Sequence, residues 1–313
     1  MTAPNFHRVK RPWWRAAVEA VLLTILIFTF NIGAALLLGM IGVFMGLPFT
    51  LLDFTNSSLD NTLLSLTALA MTIAAPLLAA KLAGRNPATL LSVAGRVRAR
   101  PTLIALAVTT VAYGSLWLLD LSTGDTPTPS SRTLIFIAIC VVVVPVQAAA
   151  EELAFRAAIP QIVGTWTSSP WLSYGLSVPI FAAAHSYNWI GLVDIAIFAI
   201  CASVLTWYTG GIEAATVLHA ANNISAFMVL GLGLSNPLDN DVKPESAVIT
   251  SISTVIFTAA ILLAMRRWGR GMRNSFYVTN PQQPGLTRRV AYFKEAPIGG
   301  EEKARRPSSG KRP

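Results

Sequence analysis

The chain has 313 residues, of which 53% are apolar and only 12% charged, with 24 Lys+Arg against 15 Asp+Glu and a formal net charge of +9. A soluble domain carries about twice that share of charge, so the composition excludes a water-soluble enzyme, a disordered chain, a collagen-like fibre and a disulfide-stapled secreted domain. What remains is an all-α, polytopic integral membrane protein. The basic residues gather in three places, at Arg8 to Arg15, Lys81 to Arg100 and Arg266 to Arg312. They flank apolar runs instead of forming a basic face on a soluble domain, so no nucleic-acid partner is expected.

Taken in chain order, residues 1–16 form a basic amino-terminal segment with Arg8, Lys10, Arg11 and Arg15. A membrane domain, 17–273, follows. A spanning helix needs about 20 mainly apolar residues, and that ruler gives eight spans: 17–45, 62–82, 101–121, 133–158, 171–187, 189–208, 211–234 and 247–266. The first run is too long for a signal-peptide core of about 7–15 residues and is expected to be retained. It is long enough to tilt, or to end in a surface segment near Pro48. Cys140 and Cys201 lie inside apolar runs and read as small buried hydrophobes. Residues 274–313 are rich in Pro, Gly, Ser, Lys and Arg and read as a disordered basic tail attracted to anionic lipid headgroups.

The connecting segments sort by charge. Asp53 and Asp60 follow span one, Asp120 and Asp125 span three, and Asp239, Asp241 and Glu245 span seven. The basic stretches follow spans two and eight. In an eight-span count they fall on one side and the acidic ones on the other, which places both termini in the cytoplasm. A multi-pass protein of the plasma membrane is expected.

A few polar residues sit where an apolar span should continue, and each ionisable one is costly there unless it has a function. Span four ends Gln147-Ala-Ala-Ala-Glu151-Glu152-Leu-Ala-Phe-Arg156, span five ends Phe181-Ala-Ala-Ala-His185, and span seven contains His219-Ala-Ala-Asn222-Asn223. Helix positions four apart share a face. Glu152 is thus placed to pair with Arg156, while Glu151 points about 100° away and is left for chemistry. An unpaired carboxylate in an apolar site suits general-base work near neutral pH. Phe181 can fix the His185 ring, and His219 and Asn223 face the same way. An Asn amide there could orient a histidine, donate to an oxyanion or ligate a metal.

Glu151-Glu152-x-x-x-Arg156, then Phe181-x-x-x-His185, then His219-x-x-x-Asn223 resembles the CAAX-protease and bacteriocin-processing family. These are intramembrane proteases of the type II CAAX prenyl protease kind, called Abi proteins in bacteria. The resemblance covers about 133–230, which would be the catalytic core. It implies an eight-helix membrane endopeptidase with six site residues: Glu151, Glu152, Arg156, His185, His219 and Asn223. It implies that Glu151 activates a water with help from His185, and that His219 and Asn223 stabilise the oxyanion. The substrate would be a peptide or protein within or at the membrane, with lipids as the other partners.

Metal dependence stays open at this point. The chain has no His-Glu-x-x-His, yet Glu151, His185 and His219 could hold Zn²⁺ with an open position for water. They could equally work without it. A straight fifth span would also carry His185 toward the far side of the membrane from Glu151, unless that span begins deeper, the segment Pro160 to Pro170 dips inward, or Pro179 bends the helix. Two other functions fit parts of the pattern. One is an inactive relative serving as an immunity or scaffold protein, which would not need all six residues. The other is a transporter with a buried His/Glu proton relay, which should show an internal repeat where this sequence has none.

Overall fold

Long apolar runs must satisfy their peptide groups without water, and helices do so within the segment itself. The computed structural model describes residues 5–44, 46, 58–123, 129–234 and 239–268. The expected tail 274–313 lies outside the described residues, as do Pro48, Asp53 and Asp125. The helices are α1 (Trp13–Phe44), α2 (Leu59–Met71), α3 (Ala74–Leu82), α4 (Ala99–Thr123), α5 (Ser131–Glu152), α6 (Ile159–Trp166), α7 (Pro170–Gly175), α8 (Ser177–Ala183), α9 (Trp189–Thr209), α10 (Glu213–Gly231) and α11 (Pro244–Trp268). Extended pairing among the described residues is limited to one bridge, Ser92 with Gly211. The protein is all-α and multi-pass, as the composition required.

Helix starts follow local chemistry. Ser130 accepts from the Thr133 backbone N–H at 3.1 Å, and Asn188 accepts from that of Gly191 at 2.9 Å. Each satisfies a donor that the first helical turn leaves over. α9 stops at Gly210, whose φ of 70° lies in the left-handed region that ends helices and favours glycine. Small residues at helix contacts let backbones approach closely. Ala199, Ala202, Ala214 and Ala215 are buried in this way with Leu205, Leu218 and Ile261.

The polar links sort the connections into two ends of the bundle. At the first end, Trp166 donates to the Trp13 carbonyl (3.3 Å), and Glu19 pairs with Arg11 and Arg85. There too, Arg98 pairs with Glu213 (2.7 Å), Val93 N–H donates to the Gly210 carbonyl (2.8 Å), and Arg100 reaches the Trp268 carbonyl. At the second end, Arg132 meets Asp60. The Asn188 N–H donates to the Asn240 carbonyl (2.8 Å), and its side chain donates to Asp241 (2.9 Å). The start of α1 and the end of α11 therefore share the first end.

Seven stretches among the described residues are long and apolar enough to cross a membrane: Trp13–Phe44, Leu59–Leu82, Ala99–Leu118, Ser131–Trp166, Trp189–Thr209, Glu213–Gly231 and Pro244–Trp268. They correspond to seven of the eight expected spans. The expected fifth span, 171–187, is different. It is two short helices, α7 and α8, that end at Ala183. Pro179 has no N–H for the Gly175 carbonyl four residues back, and the helix breaks at Leu176. This short piece still joins the two ends, because His7 bonds the Ser168 carbonyl before it (3.3 Å) and Asn188 lies just beyond it. At about 1.5 Å per residue, 170–183 is only about 21 Å long. The fourth span is longer than expected. It runs past 158 through a π-helical turn, Leu153–Ala158, into α6 and ends at Trp166.

Candidate active site

The expected residues meet where α5, the π-helical turn, α8, α9 and α10 converge. The turn begins immediately after Glu152 and contains Arg156. Such wide turns cost hydrogen-bond geometry and concentrate at functional sites. Glu152 is fully buried and splits its carboxylate: Oε2 lies 3.4 Å from Arg156 Nε, and Oε1 accepts from His219 Nδ1 at 2.8 Å. The expected Glu152–Arg156 pair is present. Glu151, which the spacing left unpaired with Arg156, brings its Oε2 to 3.5 Å from the other nitrogen of the same ring, His219 Nε2. The helix spacing put them about 100° apart, but an imidazole has two edges and the pair flanks it.

The site is apolar around this charge. Arg156 is 1% exposed and its guanidinium carbon lies 4.0 Å from the Phe181 ring centre. The ring face supplies attraction that water cannot. Phe181 also packs against Phe155 (5.0 Å), His185 (4.8 Å) and His219 (6.2 Å), and Phe198 sits 4.9 Å from His219. Phe181 is therefore the aromatic hub between the two histidines. His185 stands just past the end of α8, and the short, broken α7–α8 pair is what keeps it near the site.

The hydrogen bonds set the ring tautomers. A carboxylate only accepts, so His219 Nδ1 carries a proton and Nε2 is the nitrogen turned toward Glu151. His185 Nδ1 donates to the Phe181 carbonyl at 2.8 Å. In the neutral ring that leaves the lone pair on Nε2, the arrangement of a base. Among the described residues no carboxylate comes within ion-pair reach of His185. Glu151 accepts from Gln147 Nε2 at 2.7 Å through Oε1, and its Oε2 has no hydrogen-bond donor. Asn223 Nδ2 donates to Gln147 Oε1 at 3.1 Å.

The geometry thus gathers Glu151, Glu152, Arg156 and His219 into one ion-pair group and ties Asn223 to Glu151 through Gln147. It holds His185 one ring away. Among the described residues no three His, Cys, Asp or Glu side chains form a set that could hold a metal ion. The donors considered for Zn²⁺, Glu151, His185 and His219, do not stand as one set here. Sequence spacing passed over Gln147, although it lies one turn before Glu151 and shares its face. It had no signal for Phe198 or Tyr113, which arrive from other helices.

Residues 131–225 match a family described as type II CAAX prenyl endopeptidase Rce1-like. That segment is similar to this family. It runs from the start of α5 into α10 and carries all six expected site residues, so the resemblance read from the motifs is borne out there. The chain is also similar to a protein of Bacillus subtilis (strain 168), "Uncharacterized protein YyaK", at 30% identity over 109 residues. The match covers 32% of this chain and 36% of that protein, so the chain spans little more than a third of the relative's length. No solved structure matches.

Proposed function

We propose that this protein is an intramembrane endopeptidase that hydrolyses a peptide bond of a membrane-associated protein or peptide by direct attack of water. The observation that carries the reading is Glu151. It is a carboxylate at the rim of an apolar site, 12% exposed, with one oxygen anchored by Gln147 and the other without a donor. That second oxygen takes the proton of the attacking water. His185, with its Nε2 lone pair free, assists from across Phe181. The carbonyl oxygen of the substrate turns toward the Asn223 amide and His219 Nε2, which receive the negative charge as it develops; with Nδ1–H committed to Glu152, Nε2 donates only when the ring carries both protons. Glu152 anchors the His219 ring through Nδ1, and Arg156 holds Glu152.

The tetrahedral adduct then collapses as the proton passes from Glu151 to the leaving amine. No covalent acyl-enzyme forms. The likeness of residues 131–225 to the type II CAAX prenyl endopeptidases supports peptide hydrolysis. Because the donors for a metal are not assembled as one set, no step is assigned to Zn²⁺.

The test uses the purified full-length chain in detergent with a peptide library, beside Glu151→Ala and His185→Ala. The wild type should cleave and both variants should lose about 10²-fold or more, the scale of general acid–base catalysis. Cleavage that persists in both variants would sink the assignment. A chelator should leave wild-type cleavage in place. Loss on chelation, restored by added Zn²⁺, would return the metal to the site.

A further inference from the structure

The polar side chains beside Glu151 form a directed chain. Tyr113 Oη donates to Asn222 Oδ1 (3.1 Å), Asn222 Nδ2 to Asn223 Oδ1 (3.5 Å), Asn223 Nδ2 to Gln147 Oε1 (3.1 Å), and Gln147 Nε2 to Glu151 Oε1 (2.7 Å). Every donor along it points toward Glu151. The last acceptor sets that direction, because an ionised carboxylate can accept and never donate.

Read back from the carboxylate, each amide has its polarity imposed. Glu151 requires the NH₂ of Gln147. The oxygen of Gln147 then faces α10 and requires the NH₂ of Asn223. The two ends of a carboxamide are nearly equal in shape, so packing alone cannot distinguish an Asn from its flipped form. Flipped, Asn223 would offer a lone pair where the proposed reaction needs an N–H. Gln147 is 2% exposed, so water is poorly placed to replace it.

We infer that Gln147 is a positioning residue that uses the ionised carboxylate of Glu151 to fix the amide polarity of Asn223. One side chain thereby links the water-activating group to the oxyanion donor. The inference rests on the reading of Glu151 and Asn223 given above.

The test is a double-mutant cycle on the full-length protein with a peptide that the wild type cleaves. Gln147→Met keeps length and bulk and removes both hydrogen bonds. Its kcat should fall about 10²-fold, the scale of a lost oxyanion donor, with KM held within about threefold. In an Asn223→Ala background the same change should cost less than about threefold more, because the group to be oriented is gone. If Gln147→Met does not fold, Gln147→Asn serves, since it is one carbon too short to reach both partners. Two results overturn the inference alone, given a cleaving wild type and a silent Glu151→Gln: Gln147→Met within threefold of wild type, or losses that multiply with Asn223→Ala. A wild type that cleaves nothing, or a Glu151→Gln that cleaves as well as wild type, overturns the protease reading and this inference with it.

Discussion

The burial of Glu152 and Arg156 sets the cost of touching them. Both side chains are essentially inaccessible, at 0% and 1% exposed. Removing one partner of such a pair leaves an uncompensated charge in an apolar site and costs about 3–5 kcal/mol. Arg156→Ala should therefore lower thermal stability in detergent by that amount, together with activity. The prediction fails if Arg156→Ala melts within a degree of wild type. The pair was legible in the sequence because four-residue spacing is a property of one helix. Gln147 lies within reach of the same rule, four residues before Glu151. That both glutamates serve one imidazole was not legible, because it depends on how α10 lies against α5. The two phenylalanines around Arg156 divide in the same way: Phe181 belongs to a local motif, whereas Phe198 arrives on α9.

Among the elements, α6 and the amino-terminal segment make the most exposed claim. A Cβ added at Gly164 would run into the backbone carbonyl of His7, so the segment sits directly on α6 there. Gly164→Ala should lift residues 5–11 away, at a cost of about 1–3 kcal/mol for overpacking. Trypsin should then cut after Arg8 or Lys10 faster than in wild type, and unchanged cutting would refute the contact. His7 adds a pH dependence. Burial is the main cause holding its imidazole below the ordinary value of 6.5, and the neighbouring Arg8 pushes the same way, against the Ser168 hydrogen bond. The folded state thus disfavours the charged ring, and stability is full above about pH 6.5 and lost as pH falls through the lowered value. Protease protection of the segment should drop between pH 7.5 and 5, and His7→Leu should flatten the profile. Seven of the eight spans were legible from apolar length alone. The fifth was expected as a span in which a straight helix would misplace His185, with a bend at Pro179 as one way out, and it is two short helices that meet at Leu176. Pro179 marked that break, and the resulting short segment is what brings His185 to the site. The π-helical turn after Glu152 left no trace in residue type.

Across the described residues, the two ends of the bundle differ in charge. Arg11, Arg85, Arg98 and Arg100 outnumber Glu19 and Glu213 at the first end, while Asp60, Asp241 and a single arginine among these links, Arg132, lie at the second. The positive-inside rule predicts that the first end, with the start of α1 and the end of α11, faces the cytoplasm. A reporter inserted after Asp239 should read as external and one after Trp268 as cytoplasmic, and the reverse pattern would invert the orientation. Within this frame Glu151 is proposed to activate the attacking water. Glu151→Gln tests it most directly, because it removes the charge while keeping an oxygen to accept from Gln147 and hardly changing volume. In proteoliposomes with a peptide that the wild type cleaves, the single-turnover rate of Glu151→Gln should fall about 10²- to 10⁴-fold. A Glu151→Gln rate within tenfold of wild type would contradict the account.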